Sequence, residues 1–219
     1  MKPSLYAHPF AAYCQKVLIA LYENGTEFLY RKFGPEDPTA MSELTALWPI
    51  KKFPVLVEDG HTYVESSIII EHLAIRHPGS VQLIPKSPET ALEARMLDRF
   101  FDNYVMTPMQ KIVADSRRAP GDRDPLGVQE ARALLDTSYR WLNGAMETRI
   151  WACGDGFTLA DCAAAPSLFF ADWVHEISAE FPHAQAYRRR LLARPSVARA
   201  VDEARPYRNL FPPGAPDRD

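Results

Sequence analysis

The chain has 219 residues, 47% hydrophobic and 24% charged, which is material for one large domain or two small ones with a sizeable core. A net charge of −3 excludes a global basic field that would draw it to nucleic acid or an anionic membrane, and no stretch approaches the ~18 apolar residues of a membrane helix. The three cysteines, Cys14, Cys153 and Cys162, form neither a zinc knuckle nor a C-x-x-C pair, so a reduced, cytoplasmic setting is expected; the opening MKPSLYAHPF lacks the apolar run of a signal peptide.

Residues 3–7 predict a short strand around Leu5 and Tyr6. Residues 12–23 predict a helix, because Cys14, Val17, Leu18 and Leu21 form one stripe, and Gly25 stands ready to end it. A second strand follows at 27–33, then the loop GPEDPTA and an irregular helix at 39–47. Strands at 53–57 and 61–65 flank the turn EDG and are therefore antiparallel. SSIIIEHLAIRH reads as a helix that His77-Pro78-Gly79 stops. The order β-α-β-α-β-β-α makes residues 1–78 a small α/β domain with a mixed sheet. Residues 79–88 read as a linker, and residues 89–219 as an all-helical domain. Its first helix carries Leu92, Met96, Phe100 and Tyr104 every four residues, with Leu97, Phe101 and Val105 beside them. Further helices are expected over Val128 to Met146, from Thr158, and on either side of Arg194-Pro195; the final PPGAPDRD reads as a frayed tail.

Four stretches could carry chemistry. HPFAAYCQKV is a strand end, a loop and a helix start, a turn at which thiol chemistry is commonly built, yet positions 11 and 12 are both alanine. Pro54 opens a strand in the ordinary trans form, or follows a cis bond that turns the peptide groups of Phe53 outward toward an extended peptide ligand. At VESS a helix begins with unpaired backbone N–H groups that favour an anion; Ser66 adds a hydroxyl donor and Glu65 an acceptor for an ammonium, a pairing suited to an amino-acid end, although a serine there also serves as a plain cap. Lys51 and Lys52 either hold a second carboxylate or are a solvated pair. Thr158 and Asp161 read as a capping box and belong to folding. His8, His72, His77 and His175 lack metal-ligand spacing, so no metal is expected, and Arg188-Arg189-Arg190 reads as a solvated helix face.

The strand–loop–helix opening, the FPVL loop, VESS, the linker and FTLADCAAAP together resemble the cytosolic glutathione transferase family, in a bacterial-type form with a serine- or cysteine-type loop, over essentially the whole chain. The resemblance implies a thioredoxin-like N-terminal domain, an all-α C-terminal domain and a homodimer. It implies that Glu65 and Ser66 bind the γ-glutamyl end of glutathione, that the backbone of Phe53 ahead of a cis Pro54 pairs with the cysteinyl part, and that Lys51 or Lys52 meets the glycyl carboxylate. An apolar electrophile would lie in the cleft between domains, walled by Phe10, Tyr104 and Met106. The family's activating hydroxyl or thiol is absent, since Ala11 stands at its position and Ala12 follows. The thiolate is then expected to rest on backbone N–H groups around Ala11 and Ala12, and activity to be low. Tyr6 is one residue out of register for the tyrosine-type classes and is expected in the core. Cys14 matches a resolving cysteine and, on its apolar stripe, is expected as a buried thiol or as one activated by the helix start. Two alternatives remain: a Cys14-dependent glutathione thiol–disulfide activity, and a ligand carrier or interaction module without catalysis.

Overall fold

The computed structural model describes residues 2–219. Strand β1 (Ser4–Ala7) runs into helix α1 (Ala12–Glu23), which crosses over to β2 (Leu29–Lys32); α2 (Ala40–Leu47), β3 (Val55–Glu58), β4 (His61–Val64) and α3 (Ser66–Arg76) follow. The sheet order is β2-β1-β3-β4, with β1 parallel to β2 and antiparallel to β3, and β3 antiparallel to β4. This is the thioredoxin-like arrangement, and a helical region follows it. The period of two along β1 sorts its side chains between two cores. Leu5 and Ala7 join α1, α3 and the helical half in the main core. Tyr6 points the other way, beneath α2 with Phe33, Ala40, Leu44 and Val55. Its hydroxyl donates to Glu43 Oε2 at 2.8 Å, so Tyr6 is committed to packing.

The helical half comprises α4 (Pro88–Phe100), a π-helical turn (Phe101–Met106), α5 (Thr107–Ser116), α6 (Pro125–Ala145), α7 (Leu159–Val174), α8 (Pro182–Leu192) and α9 (Pro195–Ala204), then a 3₁₀ segment (Arg205–Leu210). The π turn has a cause in the sequence. Pro108 has no N–H for the carbonyl of Tyr104 four residues back, and that carbonyl instead accepts from Ser138 Oγ on α6 at 2.9 Å. Of the two apolar stripes on this segment, Leu97, Phe101 and Val105 lie wholly in the core, and of the other stripe only Phe100 joins them. Leu92, Met96 and Tyr104 are exposed, because α7 packs against the other face.

Helix α7 is buried on nearly all sides and lies at the centre, with α1 packed along it. Thr158 and Asp161 form its capping box. The tail is not frayed: Phe211 is buried against Trp173, Arg218 pairs with Asp172, and Asp219 pairs with Arg205 and Arg208. The proline and glycine run reads as disorder, but the charges at its end find partners.

Candidate active site

Two helix starts face each other across a cleft of about 590 Å³. The first is that of α1. Ala11 is its N-cap and has no side-chain oxygen to offer, and its carbonyl accepts from Cys14 N and Gln15 N at 2.9 Å each. The loop before it is pinned from beneath, where the buried Gln15 donates Nε2 to Pro9 O at 2.9 Å. Ala11's own N–H donates to His8 O at 3.0 Å. It is therefore spent inside the loop, and the open donors at this start are the N–H groups of Ala12 and Tyr13, which have no intrahelical acceptor.

The second start is that of α3. Glu65 is its N-cap with φ of 68°, and Ser66 is buried at the cleft wall. The cleft also takes in Lys51, Lys52, Phe53 and Pro54, and the Phe53-Pro54 bond is cis. Lys51 has φ of 60°. Among the described residues three that are not glycine have positive φ, Glu65 and Lys51 among them; both of these line the cleft. Such backbone is held only where its surroundings over-determine it, and it concentrates at ligand sites.

The helical half supplies the far wall through Arg99, Asp102, Asn103 and Gln110. Beneath it lies a buried charge network. Lys16, fully buried on α1, donates to Ser67 Oγ at 2.9 Å and pairs with Asp98 Oδ1 at 2.5 Å and Asp102 Oδ2 at 2.8 Å. Ser67 Oγ donates to Asp98 Oδ2 at 2.8 Å, and Arg99 covers both carboxylates from the solvent side. Burial pushes the Asp102 carboxyl up while Lys16 pulls it down, and Asp102 Oδ1 is buried with no protein donor.

Ala11, Ala12, Lys51, Lys52, Phe53, Pro54, Glu65 and Ser66 therefore border one cleft. Four other candidates lie elsewhere. Met106 is buried in the core, and Tyr104 is exposed beside Phe100. Phe10 is packed edge-on against Phe170 and Phe211. The π turn decides the first two, since it directs Asp102 and Asn103, rather than the apolar residues beside them, to the cleft. Cys14 is fully buried, and burial pushes its thiol up to about 12. A thiol in that state is not a nucleophile at neutral pH, which removes the support for a Cys14 disulfide chemistry. Native protein treated with iodoacetamide is expected to remain unmodified at Cys14 by mass spectrometry; modification at the rate of an exposed thiol would contradict this.

Sequence reasoning passed over Trp48, Arg99, Asp102, Asn103 and Gln110 as cleft residues, and it favours packing for Tyr13, which lines the cleft. The one signal was a polar pair, Asp98 and Asp102, at helical spacing on a helix whose next position back from Asp102 is buried phenylalanine.

Family models for the glutathione S-transferase N-terminal domain and C-terminal domain match residues 5–81 and 125–190. The chain is 31% identical over 165 residues to the glutathione S-transferase-like protein LUC7 of Fusarium sp, covering 75% of this chain and 74% of that protein. It is 28% identical to FtsZ-localized protein A of Caulobacter vibrioides over 88% of this chain and 87% of that one. Among solved structures, a glutathione S-transferase of Methylobacterium radiotolerans in complex with glutathione sulfonate superposes with a TM-score of 0.79 at 27% identity, covering 92% of this chain and 95% of that one. The chain belongs to the glutathione S-transferase family.

Proposed function

We propose that the cleft binds glutathione and that the protein catalyses attack of its thiolate on a small electrophile. One observation carries this: an anion-accepting helix start with Ser66 and Glu65, the backbone of Phe53 and the open start of α1 border the same cleft. The γ-glutamyl carboxylate takes the α3 start and Ser66. Its ammonium lies between Glu65 and the free Oδ1 of Asp102. The cysteinyl part runs along Phe53, and the glycyl carboxylate meets Lys51 or Lys52. The sulfur then falls at the start of α1, where Ala12 and Tyr13 offer N–H donors to a thiolate. Residues 1–78 hold glutathione, 79–88 link, and 89–219 supply the far wall.

The electrophile is polar rather than apolar. The helical half presents Arg99, Asn103 and Gln110, and the aromatic and thioether side chains expected there, Phe10, Tyr104 and Met106, lie outside the cleft. A small electrophile bearing a carboxylate or another hydrogen-bonding group fits this wall. Calorimetry tests the binding. Wild type is expected to take up glutathione, and Ser66→Ala to bind about tenfold more weakly, the value of one charge-assisted hydrogen bond. No uptake by wild type at millimolar glutathione would sink the proposal.

The active form is a homodimer in the cytoplasm. Ile68 and Ile75 on α3 and Leu92 and Met96 on α4 are exposed, Ile75 by 76%. The Glu71–Arg95 ion pair at 2.8 Å joins the two helices between these residues, and Trp141 extends the face beside Phe100. Such a face on a monomer calls for a cover, and a second copy related by a two-fold axis supplies it. Sedimentation is expected to give a dimer for wild type and a monomer for Leu92→Glu; a monomeric wild type at micromolar concentration would rule out the face. A reading without catalysis, as an interaction module, is favoured by the alanines at 11 and 12. Titration of the bound thiol distinguishes it, because a module has no need to lower that pKa.

A further inference from the structure

Neither residue 11 nor residue 12 has a side-chain donor, and the Ala11 N–H is already bonded to His8. The next residue is a tyrosine. Tyr13 lies in the first turn of α1 and lines the cleft together with Ala12, Phe53 and Ser66. Its hydroxyl makes no hydrogen bond to any other described residue. The other tyrosine near this loop, Tyr6, differs on both counts: it is outside the cleft and its hydroxyl is engaged by Glu43.

We propose that Tyr13 is the catalytic residue that replaces the missing donor, its O–H donating to the sulfur of bound glutathione. This rests on the reading that the cleft holds glutathione. A γ-glutamyl group at Ser66 and a cysteinyl unit along Phe53 direct the thiol to the start of α1, where Tyr13 and the N–H of Ala12 meet it. In the step, the thiol proton leaves to solvent and Tyr13 keeps its own. The sulfur lone pair then forms the bond to the electrophilic carbon, whose displaced electron pair leaves with the departing group or moves onto the acceptor of a conjugated system.

The surroundings suit a neutral donor. The charges facing Tyr13 are Glu65 at the start of α3 and Asp98, Arg99 and Asp102 from the helical half. Burial first, then Asp102, pushes the phenol up to about 12, with Arg99 opposing. The phenol therefore stays protonated throughout the range in which a thiol titrates, and it acts as donor and not as base. A single ionisation, that of the thiol, should govern the rate.

Ultraviolet thiolate titration of bound glutathione, with calorimetry beside it, tests this on wild type and Tyr13→Phe. The expected result for Tyr13→Phe is a bound-thiol pKa raised by about one to two units, an unchanged affinity at a pH where both proteins bind the thiol form and a weaker one where wild type binds the thiolate, and a kcat/KM about 10²-fold lower near neutral pH. That deficit should shrink as the pH rises through the thiol pKa. An identical thiol titration in both proteins overturns the proposal while leaving glutathione binding standing. Failure of wild type to bind glutathione overturns both. Should Tyr13→Phe not fold, the wild type decides alone: glutathione, but not S-methylglutathione, is expected to move the phenolic carbon resonance of Tyr13, and equal shifts with both ligands refute the role.

Discussion

Replacing Lys16 with methionine is expected to cost about 3–5 kcal/mol, the usual penalty for removing one partner of a buried ion pair. Lys16 is fully buried, and its ammonium contacts Ser67, Asp98 and Asp102. Without it, two buried carboxylates share only Arg99, whose side chain is half exposed. The loss has a pH signature. Burial already raises Asp102 above its ordinary value, and Lys16 restrains that rise. Removing the restraint makes the native state bind protons more tightly than the unfolded chain, so the variant's stability falls as pH rises through the carboxylate range. The deficit is smallest in acid and largest at neutral pH. Urea unfolding at two pH values measures it, and a loss below about 1 kcal/mol at neutral pH, the range of a surface pair, would contradict the account. Because Asp102 lines the cleft and Ser67 follows the cleft residue Ser66 on α3, the same variant should also bind glutathione poorly while folded.

Asp161→Ala is the second large effect. Its carboxylate is fully buried and collects four donors: Ala152 N at 2.9 Å, Thr158 N at 2.8 Å, Thr158 Oγ1 at 3.2 Å and the Tyr187 hydroxyl at 2.6 Å. One side chain thereby caps α7, fixes the loop before it and ties in α8. Alanine leaves all four donors in a dry interior, at a cost of about 3 kcal/mol or more. Thermal unfolding should drop sharply, with the cleft chemistry of any protein that remains folded unaltered. A melting point equal to wild type would refute the role of Asp161 as the hub of this half.

Much of this was legible in the sequence because local rules and the fold agree. The Cys14–Leu21 stripe, the EDG turn and the Thr158–Asp161 box each specify their element without help from distant residues. The wall of the cleft that the N-terminal half supplies was legible for a related reason: it is built from two helix starts and the loop at Phe53-Pro54, and all three leave marks in neighbouring residues. The far wall was not legible. Asp102 and Asn103 reach the cleft through a π turn, which depends on Pro108 losing a donor and on Ser138, 34 residues from Tyr104, accepting the consequence. No helical periodicity records that pairing. Nothing in the sequence marks Lys16 as buried either; the packing of α1 against the helical half buries it. The engagement of Ala11's N–H by His8 is a matter of loop geometry, and it moves the open donors one residue along, to Ala12 and Tyr13.

A crystal structure of the protein grown with glutathione tests the central claim most directly. The account predicts the γ-glutamyl carboxylate at Ser66 and the start of α3, its ammonium against Asp102, and the sulfur within hydrogen-bonding distance of the Ala12 N–H and the Tyr13 hydroxyl. An empty cleft at millimolar glutathione, or a tripeptide bound with its sulfur turned away from the start of α1, would contradict it.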